Sequence, residues 1–165
     1  MKLARRRGPG LGLALALALT GCSGDDGETD TGLGDPFFPE GYQASYTEVR
    51  DCRGSGDHNL NKIRILASPE ALGPYQDRDA PFPEGAVVLK EEHDFGDMSC
   101  SGPILRWTVM RKLAASSAPD TLDWEWQDVD DARVVIEADG AGCVNCHTGC
   151  GVAPEGHDGT CSIPP

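Results

Sequence analysis

Three of the chain's seven cysteines, Cys143, Cys146 and Cys150, fall within eight residues, and His147 directly follows the second. The run Cys143-Val-Asn-Cys146-His147 is a C-x-x-C-H motif, the attachment signature of c-type haem. The spacing has a physical reason. Two thiols on one turn reach the two vinyl groups on one edge of a porphyrin. The next imidazole then projects to the iron. Cys143 and Cys146 are therefore candidate thioether residues, and His147 the candidate axial ligand. Two other chemistries use the same residues. Cys143, Cys146, His147 and Cys150 could hold zinc, which accepts three Cys and one His in a tetrahedron. The cysteines could also be plain disulfides of a secreted, loop-rich domain. The chain has only four histidines, which makes one directly after C-x-x-C informative.

Seven is an odd number, and the N-terminus accounts for one. Lys2, Arg5, Arg6 and Arg7 precede a short apolar run, Leu11 to Leu19, too short to span a bilayer comfortably. This pattern predicts an export signal over residues 1–21. Leu19-Thr20-Gly21-Cys22 resembles a bacterial lipobox, with the thiol of Cys22 carrying lipid. The expected location is the bacterial cell envelope, on a membrane facing the periplasm or the cell surface. Disulfides can form there. Residues 22–40 are acidic and rich in Gly, Asp and Thr, and predict a flexible tether. The folded domain is expected over 41–165.

Four cysteines remain: Cys52, Cys100, Cys150 and Cys161. Four allow three connectivities. Cys52–Cys100 with Cys150–Cys161 is favoured, the second closing a short loop near the motif. The formal net charge is −13, and the first 21 residues hold four of the 14 Lys+Arg and none of the 27 Asp+Glu. So acidic a chain is not expected to bind nucleic acid, which demands Lys and Arg against its phosphates.

The length suits one domain, and 21 Gly with 12 Pro favour a loop-rich fold over a helical bundle. Lys62–Ala67 alternates polar and apolar residues and predicts a strand. Ser68-Pro69 reads as an N-cap with proline at the first helical position, opening a helix to about Tyr75. Strands follow over 86–92, 105–113, 123–129 and 132–138, separated by turns of Gly, Pro and Asp. Trp107 shares a face with Leu105 and Val109; Trp124 and Trp126 share another. These tryptophans are read as core, with walling of a ligand site as the alternative. Asp128, Asp130 and Asp131 are expected in a solvated turn. The fold class is α+β: an antiparallel sheet with a few short helices, packed around one c-type haem.

The order of segments resembles the cytochrome P-460 family. It runs through Tyr46-Thr47-Glu48-Val49-Arg50, the strand and Pro-led helix, and Phe82-Pro83-Glu84-Gly85-Ala86-Val87-Val88-Leu89-Lys90-Glu91. Met110-Arg111-Lys112, Asp123-Trp124-Glu125-Trp126 and the C-x-x-C-H motif follow. The resemblance covers about residues 42–150 and implies one covalent haem c. In the family's enzymes a lysine is joined to the porphyrin rim and hydroxylamine is oxidised; the matching position is Lys90. Relatives of the same fold, the cytochromes c′-beta, lack the crosslink and bind NO or CO. Lys90 also ends an apolar run, AVVL, where a lysine can simply carry its amine out to solvent. After the motif the chain departs from the family, continuing as a Gly-rich stretch with Glu155 and Asp158.

The resemblance thus implies a hydroxylamine or NO oxidoreductase with a periplasmic electron-transfer partner. The alternatives are a non-enzymatic gas-binding or electron-carrying haem lipoprotein, and a disulfide-stapled binding lipoprotein without haem. An electron carrier calls for a sixth iron ligand, for which His58, His93, His157, Met98 and Met110 are the candidates.

Overall fold

Side-chain alternation along six consecutive strands builds one antiparallel sheet whose spatial order is the chain order. The structure, a computed structural model, describes residues 31–161. The strands are β1 (Thr47–Gly54), β2 (Lys62–Ala67), β3 (Val87–His93), β4 (Ile104–Lys112), β5 (Trp124–Asp130) and β6 (Val135–Ala138). Helix α1 (Pro69–Asp77) joins β2 to β3, and α2 (Ala141–Cys150) follows β6. The expected α+β class is present. The expected strands are found within one or two residues of their bounds, except that β6 starts late. Asp130 Oδ1 accepts the amides of Ala132 and Val134 at 3.0 and 2.8 Å, holding a tight turn where a longer strand was expected. Two elements had no pattern to announce them. β1 (TEVRDCRG) is an edge strand with one buried residue, and α2 has no apolar stripe.

Both faces of the sheet are covered. On one, Val49, Ile63, Ile65, Val88, Met110, Trp124 and Trp126 pack with Ala71 and Tyr75 of α1, and Cys143 and Val144 of α2 lie against them. On the other, Leu66, Leu89, Trp107, Val109 and Val129 pack with Phe38 and Tyr42. Ser68 opens α1 as expected, but its side chain does not cap it: Oγ accepts the amide of Val87 at 3.1 Å instead.

Residues 35–38, expected in the tether, belong to the fold. The Gln127 amide accepts from Phe37 N and donates to Asp35 O, both at 3.0 Å. Arg133 donates to Phe38 O at 2.8 Å and its guanidinium lies 4.4 Å from the Phe38 ring. Two adjacent phenylalanines outweigh the polar composition around them by covering the second face. The segment that carries the expected signal and Cys22 lies outside the described residues.

Phe38 is 2% exposed. Phe38→Ala is expected to cost about 3–5 kcal/mol, read by urea unfolding. A loss of about 0.5 kcal/mol, the size of a surface change, would show that this segment is not part of the core.

Candidate functional site

Three strands and one helix enclose a cavity of about 330 Å³. Alternation on the sheet sends Val88 and Lys90 of β3, Thr108 and Met110 of β4, and Trp126 and Asp128 of β5 into it. Cys143, Cys146 and His147 of α2 form the facing wall, and Asp57 and His58 close one side. A second lobe of about 390 Å³ shares Lys90, Met110 and His147, and runs on toward Arg53, Tyr75 and Cys161.

On α2 the cysteines divide into free and disulfide-bonded. Cys143 and Cys146 are free thiols. Three residues apart, they share one face of the helix. The structure joins Cys52 to Cys100 and Cys150 to Cys161. That takes Cys150 out of the four-ligand zinc set. Among the described residues no group of three or more His, Cys, Asp or Glu could hold a metal ion.

His147 is anchored from behind. Its Nδ1 lies 2.7 Å from the carbonyl of Gly159. A carbonyl only accepts, so Nδ1 carries the proton and Nε2 keeps its lone pair. Nε2 faces the cavity, 3.5 Å from the Lys90 amine. Burial, then the charge of Lys90, brings the His147 pKa down to about 4, against the opposing pull of the Gly159 carbonyl. The imidazole is therefore neutral at pH 7, as a metal ligand must be. Trp126 flanks it, ring centroids 6.0 Å apart.

Lys90 is half-buried and its amine lines both lobes. The protein packed around it holds its pKa below the ordinary lysine value, although Glu92 and the two cysteines pull the other way. Lys90 therefore does not escape to solvent from a strand end: β3 continues to His93, and Lys90 lies mid-strand. It contacts His58 Nε2 at 2.9 Å. Nδ1 of His58 is 3.4 Å from Glu92, which also accepts from Asn61 at 2.9 Å and from Arg106 at 3.3 Å.

A family model for cytochrome P460 matches residues 39–152. The chain belongs to the cytochrome P460 family. A search of curated proteins found no match. Membership carries a haem cofactor, and the cavity of this cytochrome suits one. A pair of free thiols and a neutral, pre-oriented imidazole stand on one wall. The opposite wall combines Val88, Met110 and the Trp126 ring with buried polar atoms that have no partner in the protein: Thr108 Oγ1, Trp126 Nε1 and Asp128 Oδ1. Buried polar atoms without partners are costly. A large flat group with apolar faces and a few polar contacts matches such a wall.

The sixth-ligand candidates separate cleanly. His58 and Met110 line the cavity. His93 is on the other face of the sheet, between Glu91 at 3.7 Å and Asp97 at 3.6 Å. His157 Nε2 donates to the Ala80 carbonyl at 2.9 Å, and the ring packs on Phe82. Met98 is 74% exposed. Trp126 lines the cavity, whereas Trp107 is core on the far face. Asp128 corrects the expectation of a solvated turn. Alternation in β5 places it on the Trp124–Trp126 face, 8% exposed, with Arg106 at 3.5 Å. Burial raises its pKa, and Arg106 only partly offsets this. The carbonyl of Gly159 was beyond sequence reasoning, since a backbone oxygen leaves no residue-type signal.

Glu92 supplies a pH test. Burial raises its pKa, but the His58 imidazole 3.4 Å away, the hydrogen bond from Asn61 and the charge of Arg106 prevail and leave it below the ordinary value. Near the ordinary glutamate value of about 4.3 the unfolded chain then binds more protons than the fold. The stabilisation is complete above that pH and lost as pH falls through the folded-state value. Urea unfolding at about pH 7 and about pH 3 should show the gap between wild type and Glu92→Gln narrowing in acid. A gap independent of pH would contradict the assignment.

Proposed function

We propose that this cytochrome is an exported, lipid-anchored monohaem protein that oxidises hydroxylamine or turns over NO at the haem iron. Cys22 is the proposed lipid site. Cys143 and Cys146 would hold the haem through thioether bonds to its vinyl groups, and His147 Nε2 would bind its iron. The observation that carries the reading is the arrangement on α2: two free thiols on one face beside an imidazole whose Nδ1 is held by Gly159 O. The Cys52–Cys100 and Cys150–Cys161 bridges suit an oxidising compartment.

Bound haem supplies the iron centre at which the nitrogen compound loses electrons. The protein supplies the rest. Val88, Met110 and Trp126 keep that side of the site apolar. Hydroxylamine oxidation releases protons along with electrons. Asp128, whose pKa burial raises, and His58, backed by Glu92 at 3.4 Å, are the groups placed to take them. Lys90 is the proposed point of attachment to the porphyrin rim. Electrons then leave for a periplasmic partner.

The apolar part of the wall also suits binding of NO or CO without turnover. Steady-state hydroxylamine oxidation with an electron acceptor separates the two. Turnover is expected, and Asp128→Asn should lower it about 10²–10⁴-fold. CO binding with no turnover would assign gas binding instead.

The attachment is tested with haem-maturation machinery present during expression. Wild type should gain the mass of one haem and a pyridine haemochrome spectrum; Cys143→Ser/Cys146→Ser should lose covalent haem. A wild-type protein without a Soret band would refute the reading. A Soret maximum red-shifted in wild type and ordinary in Lys90→Ala is expected from the crosslink, and identical spectra would remove Lys90 from it.

A further inference from the structure

The family match stops at residue 152. The Gly159 carbonyl that holds His147 lies beyond it, in a loop that the rest of the fold immobilises. We propose that the disulfide-closed loop 151–160 is a clamp on the axial histidine, with Gly159 and the Cys150–Cys161 bridge as positioning residues. The inference rests on the reading of His147 as the iron ligand.

Three sets of observations support it. First, the loop is closed at its ends. Cys150 ends α2 and is bonded to Cys161, with Cα atoms 5.0 Å apart. Gly159 N donates to Gly151 O at 2.9 Å, next to that bridge. Within the loop, His157 and Thr160 exchange backbone hydrogen bonds at 2.9 and 2.8 Å.

Second, Asp158 fastens the loop to the sheet. Its carboxylate accepts from Lys112 Nζ at 2.6 Å and from Phe82 N at 2.8 Å, and its carbonyl accepts from Trp124 Nε1 at 2.7 Å. Lys112 is itself only 7% exposed. A buried ion pair adds little net stability but fixes one geometry when it is well hydrogen-bonded. Here the fixed residue is the direct neighbour of Gly159.

Third, the sequence at 159 is forced. Gly159 has φ +85°, and a Cβ there would stand 2.6 Å from Trp124 Nε1. Only glycine brings this peptide so close to the indole and points its carbonyl at His147.

A ligating imidazole that donates its other N–H to a carbonyl is fixed in tautomer and ring orientation, and its metal-binding nitrogen becomes more basic. A more basic axial ligand favours the oxidised iron and lowers the reduction potential. The clamp therefore tunes the iron through His147 without touching it. A bridge that served stability alone would have no such effect.

The test compares haem-loaded wild type with Cys150→Ser/Cys161→Ser, with Gly159→Ala, and with Cys52→Ser/Cys100→Ser as control. Covalent haem should be retained throughout. The first two variants should show a more positive reduction potential, and a lower Fe–His stretching frequency in the ferrous protein. The control should match wild type. Gly159→Ala keeps the bridge and decides the question if the double serine variant fails to fold. Potentials equal to wild type in the loop variants would overturn the clamp, as would an equal shift in the control. Long-range ¹H–¹⁵N spectra of the His147 ring give a readout independent of haem. They should show the Nδ1–H tautomer in wild type and a tautomer mixture in the loop variants. Wild type without haem would sink the ligand reading, while these spectra would still show whether the loop holds the ring.

Discussion

A charge in the interior must be paired, and β3 presents that problem four times in succession. Lys90, Glu91, Glu92 and His93 follow one another in a strand with neighbours on both sides, and the last three are at most 1% exposed. Alternation divides them between the two faces. Glu91 and His93 go to one, where Glu91 accepts from the Tyr42 hydroxyl at 2.5 Å and from Arg64 at 2.6 Å. Trp107 donates in turn to that hydroxyl at 2.8 Å. Burial and the Glu91 carboxylate both push the Tyr42 pKa up, so it stays a donor. Lys90 and Glu92 go to the other face, where Glu92 gathers His58, Asn61 and Arg106. One polar knot fixes the N-terminal segment to the sheet. The other shapes the cavity.

The cavity is thus built by a rigid wall and a movable-looking one that has been tied down. The sheet provides the first, through Lys90, Thr108, Met110, Trp126 and Asp128. The second is α2, a ten-residue helix without a buried residue and with little packing of its own. It is held by the bond from His147 to Gly159, by the Cys150–Cys161 bridge, and by Asp158 on Lys112 and Phe82. A helix that contributes so little apolar surface depends on such links for its position. In the proposed reading the axial ligand sits on this helix, so its position is where geometry matters most.

Much of this was legible in the sequence, for stated reasons. Period-two alternation located the strands over 62–67, 105–113 and 123–129 and put Trp124 and Trp126 on a common face, and apolar runs between turns marked those over 86–92 and 132–138. Pro69 marked the start of α1. The C-x-x-C-H spacing picked out the three residues on the helical wall, and the resemblance singled out Lys90. Four things were not legible. β1 is too charged to advertise itself, since an edge strand needs few apolar residues. Phe37 and Phe38 were hidden by the acidic composition around them. Asp128 reads as surface in a run of aspartates, and only the register of β5 against β4, Asp128 opposite Thr108, turns it inward. The partners of His147 and Glu92 lie far away in sequence, and no local pattern reports a contact made by a loop closing back.

The central claim is that the space between the sheet and α2 holds haem with His147 as its axial ligand. A crystal structure of the protein, isolated from a host that matures c-type haem, tests it most directly. It should show iron on His147 Nε2, thioether bonds from Cys143 and Cys146, and Nδ1 still donating to the Gly159 carbonyl. A Cys143–Cys146 disulfide, or iron held by another residue with His147 turned away, would contradict it.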